Sequence, residues 1–289
     1  MSNIELIKEE RATKIGAFLV GRLLPFREKR SVGPFVFIDH MGPVSMSEDQ
    51  NLDVLPHPHI GLSTLTYLFE GTIMHRDSIG TEVEIQAGDV NWMTAGKGIV
   101  HSERTPERFR NQAKELHGLQ IWVALPKDLE ESDPSFHQIK SNQLPSWTDG
   151  ALKMKLIAGQ LQNKKSPVPV HSSLYFIEIK SEENEQVSIG EQLYGESALY
   201  ILEGKVRAEG NEYEAKQILI AKNAKLCSFE MEKNTTIYIF GGRPFEEERY
   251  IDWNFVSSSK ERILKAKEEW KQQQFPKING EDEFVPYPS

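Results

Sequence analysis

Tyr67-Leu68-Phe69-Glu70-Gly71 returns in the second half of the chain as Tyr200-Ile201-Leu202-Glu203-Gly204. Each copy is followed by an acidic extended run (Glu82–Gln86; Glu212–Ala215) and then by an apolar one (Val90–Met93; Ile218–Ala221). Self-similarity of this kind is what a tandem duplication leaves behind. In both copies Glu-Gly reads as the turn of a hairpin, with glycine supplying the backbone freedom. Around the repeat lie short runs of β-branched and aromatic residues bounded by Gly, Pro, Asn or Asp: Phe35–Ile38, Ser63–Phe69, Leu119–Leu125, Ser173–Ile179, Ala198–Leu202 and Thr236–Phe240. The pattern predicts an all-β fold, sandwich or barrel, rather than alternating strands and helices. One helix is predicted, over roughly 258–273. Serines at its start suit an N-cap, Ile263, Leu264 and Trp270 form its apolar side, and it stops before Pro276. The duplication divides the chain into a β domain over 1–135, a Pro/Ser/Asp-rich linker over 136–150 and a second β domain over 151–289 that carries the helix.

A chain of 289 residues is long enough for about two domains of ~150 residues. With 38% hydrophobic and 27% charged residues it can bury a core in each. No apolar run approaches the ~20 residues that cross a bilayer, so no membrane role is expected. The opening MSNIELIKEE lacks the basic start and apolar block of a secretory signal. A single cysteine, Cys227, excludes an internal disulfide and a cysteine-rich zinc module. Together these predict a cytoplasmic protein. The net charge is −9, and neither half carries more basic than acidic side chains. Affinity for nucleic acid comes largely from neutralising phosphates, so direct nucleic-acid binding is not expected.

The chemistry is concentrated in two short segments. In His57-Pro58-His59 the imidazoles are two residues apart, and in a strand residues i and i+2 project from one face. Val100-His101-Ser102-Glu103 presents a second pair of good ligands at the same spacing. Two strands, each offering two ligands on one face, could build a His3Glu metal site from His57, His59, His101 and Glu103 inside a barrel. Without gaps, the repeat places Gly190 and Gln192 opposite His57 and His59, and Asn234 and Thr236 opposite His101 and Glu103. No histidine follows His171. One metal per chain is therefore expected, in the first half. Imidazole and carboxylate ligands suit Fe(II), Mn, Ni, Cu or Zn alike. Four such ligands on an octahedral ion leave two open positions, whereas a closed tetrahedral zinc site would be structural.

The segments Phe37-Ile38-Asp39-His40-Met41-Gly42-Pro43, Pro56-His57-Pro58-His59-Ile60-Gly61, Gly88–Glu103 and Leu116-His117-Gly118-Leu119-Gln120-Ile121-Trp122 closely resemble the pirin family of the cupin superfamily. The resemblance runs from about Gly21 to Pro126 and continues weakly beyond. It implies a bicupin, two jelly-roll domains in tandem. It also implies one Fe(II) per chain, held by His57, His59, His101 and Glu103. Ser63 and Thr64 stand where the broader cupin pattern has its glutamate, and Glu103 supplies the carboxylate instead, as in pirins.

Several pirin-like proteins are similar to quercetin 2,3-dioxygenases, which open the central ring of a flavonol with O2 and release carbon monoxide. The resemblance implies that role here, with Glu103 as the catalytic base and a flavonol-like aromatic molecule and O2 as partners. Phe37, Trp92 and Trp122 are candidates for the wall of a flat apolar pocket. Lys97 and Arg104 flank the second ligand pair and could attract an anionic substrate. The alternative implied by the family is a non-enzymatic, iron-dependent, redox-sensitive regulator acting through a protein partner: a transcription cofactor, nuclear in a eukaryote, or a modulator of a metabolic enzyme. His40 and His117 are candidates for hydrogen bonding around the site. His75, His137 and His171 are expected on the surface or in loops.

Overall fold

A computed structural model describes residues 3–15, 18–221 and 228–288, and nearly all of its regular structure is extended. Cys227 lies outside the described residues. The strands of the first half are β1 (Ile4–Glu9), β2 (Arg11–Ile15), β3 (Phe18–Leu24), β4 (Phe35–Met46), β5 (Asp53–His59), β6 (Leu62–Glu70), β7 (Thr72–Asp77), β8 (Glu82–Gln86), β9 (Val90–Thr94), β10 (Ile99–Arg104), β11 (Lys114–Ala124) and β12 (Ser135–Ile139). Those of the second are β13 (Ser146–Asp149), β14 (Leu152–Leu161), β15 (Lys164–Lys165), β16 (Leu174–Ser181), β17 (Glu185–Val187), β18 (Glu196–Glu203), β19 (Lys205–Ala208), β20 (Asn211–Glu214), β21 (Gln217–Ala221), β22 (Phe229–Met231), β23 (Thr235–Gly242), β24 (Tyr250–Asp252) and β25 (Phe255–Ser257), followed by the helix α1 (Lys260–Lys271).

Two compact units form, and each draws on separate stretches of chain. One gathers Thr13–Gly21, Ile38–Gln138 and everything from Glu246 onward; the other gathers the chain up to Ala12, Arg22–Phe37 and Ile139–Phe245. The stretch 136–150 contributes β12 and β13.

The duplication is written in the sheets. A seven-stranded sheet runs β12-β9-β6-β11-β4-β3-β2, and a four-stranded one runs β5-β10-β7-β8. Their counterparts run β1-β21-β18-β23-β16-β14-β13, with β15 on β14, and β17-β22-β19-β20. Replacing β4 through β11 by β16 through β23 turns β9-β6-β11-β4 into β21-β18-β23-β16 and β5-β10-β7-β8 into β17-β22-β19-β20. Both are antiparallel jelly rolls, the bicupin expected above.

The repeated Glu-Gly does not turn a hairpin. Strand β6 pairs with β9 and β11, whereas β7 pairs with β10 and β8, and β18 and β19 likewise belong to different sheets. Glu70-Gly71 and Glu203-Gly204 are corners where the chain leaves the large sheet for the small one. Pairing slips by one residue beside each, at His117/Gly118 and at Ile201/Glu203, which is how strands bend between sheets. Glycine is needed for space as well as for its φ of 91° at Gly71 and 77° at Gly204. A Cβ would lie 2.4 Å from the Glu115 carbonyl oxygen at the first corner and 2.3 Å from Thr235 Oγ1 at the second. The true hairpin is one strand later, β7 to β8 through Asp77–Thr81.

The register of the repeat also departs from gap-free counting. The strands equivalent to β5 and β10 are β17 and β22, and they contribute Val187, Phe229 and Met231 to a continuous apolar core. The second unit fills with hydrocarbon the space that the first lines with histidines.

Helix α1 starts at Ser259, whose hydroxyl accepts from the Arg262 amide, the bond an N-cap exists to make. Ile263, Ala266 and Trp270 are buried, but Leu264 is 60% exposed, contrary to the expected apolar side. It is one residue past Ile263, about 100° around the helix. The buried face packs on Ile60, Val100, Phe255, Phe275 and Ile278. Ile60 and Val100 are the sequence neighbours of His59 and His101. Alternation along a strand sends the apolar side chains to the helix and the imidazoles to the opposite face. Among the described residues no helix is long and apolar enough to cross a membrane.

Gly61, just after the first ligand pair, has φ +65°, and a Cβ there would meet the Val256 carbonyl oxygen at 1.9 Å. Gly61→Ala is expected to cost about 3 kcal/mol or more in denaturant unfolding, because strain and backbone clash add. A loss below about 1 kcal/mol would contradict this close approach.

Candidate metal centre

Strands β5 and β10 lie antiparallel, with His57 opposite His101 and His59 opposite Ile99. Between the pairs His101/His57 and Glu103/Val54 the register slips by one, with the extra residue on β5, a bulge that re-aims the side chains of β5 just before His57. On its other edge β10 pairs with β7, placing Asp77 opposite His101 and His75 opposite Glu103.

The three imidazoles of His57, His59 and His101 converge. One nitrogen from each lies within 4.8 Å of the others, and the exposures are 8%, 1% and 1%. His59 Nε2 and His101 Nε2 stand 3.1 Å apart. His57 Nδ1 donates to the Leu55 carbonyl at 2.9 Å, and His59 Nδ1 donates to the Asn254 carbonyl at 3.2 Å. A carbonyl only accepts, so each ring carries its proton on Nδ1 and keeps a bare Nε2.

Burial makes a charge on these rings costly. Desolvation lowers His57 from 6.5 to about 4, and it holds His59 and His101 well below their ordinary value, the neighbouring imidazoles adding to the effect. Neutral imidazoles with converging lone pairs repel one another and want a cation. Two nitrogens on one ion at about 2.1 Å and a right angle would be about 3.0 Å apart, which the observed 3.1 Å matches. The residues present therefore fit a metal ion.

Glu103 is partly buried, and desolvation raises its carboxyl to about 7. Among the described residues the cluster of converging ligand atoms comprises the three histidines; Glu103 sits two residues beyond His101 on the same strand. Trp122 packs edge-on against His59, ring centroids 5.1 Å apart. Trp92 is fully buried and donates its indole N–H to Thr94 Oγ1 at 3.1 Å. Phe37 is buried with the Arg22 guanidinium 4.5 Å over its ring. A cavity of about 350 Å3 in the same unit, lined by Met46, Leu52, Thr105, Phe109 and Leu116 among others, contains none of these residues.

Other expectations change. His75 is buried, 2% exposed, rather than at the surface. Its Nε2 is 3.1 Å from Asp77 Oδ2, its Nδ1 is 3.5 Å from His101 Nδ1, and its ring stacks on Phe136 at 4.5 Å. The spacing that revealed His57 and His59 was present in His75-Arg76-Asp77 as well. His137 is exposed and His171 partly so. His40 and His117 form a separate pair, Nε2 to Nε2 2.8 Å, against Phe69. Arg104 is not free for an anionic ligand: its guanidinium is held by Glu281 at 2.7 and 3.0 Å. Glu281 also accepts from Ser102 Oγ at 2.6 Å, so the C-terminal segment grips β10 on both sides of Glu103. Lys97 is paired at the surface with Asp133.

Residues 18–123 match the family described as Pirin, and residues 176–276 match its C-terminal cupin domain. A pirin-like protein of Caulobacter vibrioides is 44% identical over 99% of both chains. A quercetin 2,3-dioxygenase crystal structure from Acinetobacter baumannii superposes with a TM-score of 0.89 at 32% identity, covering 98% of this chain and 95% of that one. A bacterial pirin of Escherichia coli, solved with nickel(II), shares the fold with a TM-score of 0.62 at 19% identity, over 83% of this chain and 100% of its own.

The buried histidines set a pH dependence. An unfolded chain binds their protons near pH 6.5, and the folded one resists them until far lower, so the stability they contribute is complete above 6.5 and is lost as pH falls toward 4. Glu103 acts in the opposite sense between 4.5 and 7, but three rings outweigh one carboxyl. Urea unfolding of the metal-free protein should give a stability lower at pH 5 than at pH 7 by about 2–4 kcal/mol. A rise would contradict the burial of neutral rings.

Proposed function

Because the chain belongs to the pirin family, we propose that it is a dioxygenase whose centre at His57, His59 and His101 takes one Fe(II) and opens the central ring of a flavonol such as quercetin, with O2 consumed and carbon monoxide released. The observation that carries this reading is the convergence of three buried, neutral imidazoles, with a carboxyl raised to about 7 two residues along the strand from His101. The likeness to a quercetin 2,3-dioxygenase over nearly the whole chain supports it.

His57, His59 and His101 hold the ion through Nε2 and take no proton from the substrate, since a main-chain carbonyl fixes the proton on Nδ1 of the first two. Lewis acidity toward the substrate's oxygens is the chemistry that the ion supplies when bound. Glu103 accepts the proton of the flavonol 3-hydroxyl. A base matched to neutral pH works best in that role, and desolvation has brought Glu103 there. Trp122, edge-on to His59, offers a flat apolar surface beside the centre. Exclusion of water from the interior strengthens each of these interactions.

Anaerobic loading with Fe(II), followed by an aerobic quercetin assay that watches loss of the flavonol band and release of carbon monoxide, tests the proposal. Wild type is expected to turn over. His101→Ala should bind less iron and lose activity with it. Glu103→Ala should keep its fold and fall by about 10²–10⁴-fold in kcat. Wild type that holds a full complement of iron and leaves quercetin unchanged would contradict the proposal and direct the search to protein partners.

A further inference from the structure

The proton on His101 is placed differently from those on the other two histidines. For His57 and His59 the main chain does it; for His101 Nδ1 the partner is the side chain of His75, and behind it stands Asp77. Asp77 is fixed by the turn it begins: its Oδ1 accepts from the amides of Ile79 at 3.1 Å and Thr81 at 2.9 Å. Its Oδ2 is left for His75 Nε2 at 3.1 Å. Burial works to raise this carboxyl, but hydrogen bonds from His75 and Thr81 outweigh it and hold the group below its ordinary range.

A carboxylate only accepts, so His75 donates to Asp77 through Nε2, which leaves its Nδ1 to accept. Two places are open to the His101 proton, Nε2 at 3.1 Å from His59 Nε2 and Nδ1 at 3.5 Å from His75 Nδ1; in the second, Nδ1 donates to His75 and Nε2 is left bare. The contact is long, and what it sets is the position of the proton rather than a large energy. With its proton on Nδ1, His101 presents a bare Nε2 toward that of His59. Asp77, His75 and His101 are each no more than 2% exposed, so every link is shielded from bulk solvent, and the His75 ring stacks on Phe136.

We propose that Asp77 is a positioning residue which, acting through His75, locks His101 in the tautomer that turns a bare Nε2 to a bound metal ion. The inference rests on reading His57, His59 and His101 as a metal centre. It makes His101 the one ligand whose orientation side chains, rather than main chain, control.

Asp77→Asn reverses the chain of donors. The amide oxygen must take the place of Oδ1 to satisfy two main-chain amides, so the NH2 faces His75 Nε2 and donates to it. His75 then protonates on Nδ1, and His101 accepts there and carries its own proton on Nε2, where the metal would bind. Two readouts test this. Imidazole nitrogen–proton correlation NMR of the metal-free protein should show His101 protonated on Nδ1 in wild type and on Nε2 in Asp77→Asn. Titration with Co(II) should show the variant binding about 10–100-fold more weakly. In Asp77→Asn/His75→Asn the amide oxygen of residue 75 takes the position of the imidazole Nδ1 and accepts from His101, so affinity should return. Wild type with its His101 proton on Nε2, a folded Asp77→Asn of unchanged affinity, or a double variant no tighter than the single one would each overturn the proposal. If Asp77→Asn fails to fold, the wild-type tautomer decides alone. Wild type with the expected tautomer but no uptake of Co(II) would instead overturn the metal-centre reading on which the proposal stands.

Discussion

Three imidazole rings packed out of water with their lone pairs facing one another are an electrostatic burden, and the architecture around His57, His59 and His101 is a means of sustaining it. Each ring has been stripped of hydration, the main chain holds the protons of His57 and His59 on Nδ1, and desolvation holds all three rings neutral. A buried polar atom without a partner costs about 1–3 kcal/mol. A cation at the point of convergence would turn that cost into binding energy. Folding thus leaves His57 and His59 neutral with their protons on Nδ1, so that an ion taken up at Nε2 would displace none from these two rings.

What keeps the rings together is a sheet braced from behind. Strands β5 and β10 turn His59 and His101 inward while Ile60 and Val100, their neighbours, anchor to α1 and the segment that follows it. Glu281 from that segment holds Ser102 and Arg104 on either side of Glu103. The C-terminal residues therefore stiffen the ligand strand from its outer face. On the equivalent strands of the second unit Val187, Phe229 and Met231 pack as hydrocarbon in place of the imidazoles.

Much of this was legible in the sequence because it rests on local periodicity. The alternation of His57 and His59, and of His101 and Glu103, states which side chains share a face, and the Tyr67–Gly71 repeat announces two copies of one topology. Features that depend on pairing between distant strands were not legible. Glu70-Gly71 looks like a hairpin turn by composition, and only the sheet order reveals a corner between sheets. His75 and Asp77 carry the same two-residue spacing as the ligands, yet their value comes from lying opposite Glu103 and His101 across β7 and β10. Arg104 reads as a free charge until a residue from the far C-terminus closes on it. Leu264 differs from Ile263 only by a rotation around the helix, too fine a distinction for a pattern in which both are apolar.

X-ray absorption at the iron edge of the Fe(II)-loaded protein addresses the centre itself, independently of any substrate. Three imidazoles in a shell of nitrogen and oxygen near 2.1 Å, with coordination beyond four, is the result expected of a centre that keeps positions open for chemistry. Fewer than three imidazoles, or a closed four-coordinate shell, would contradict the account at its base.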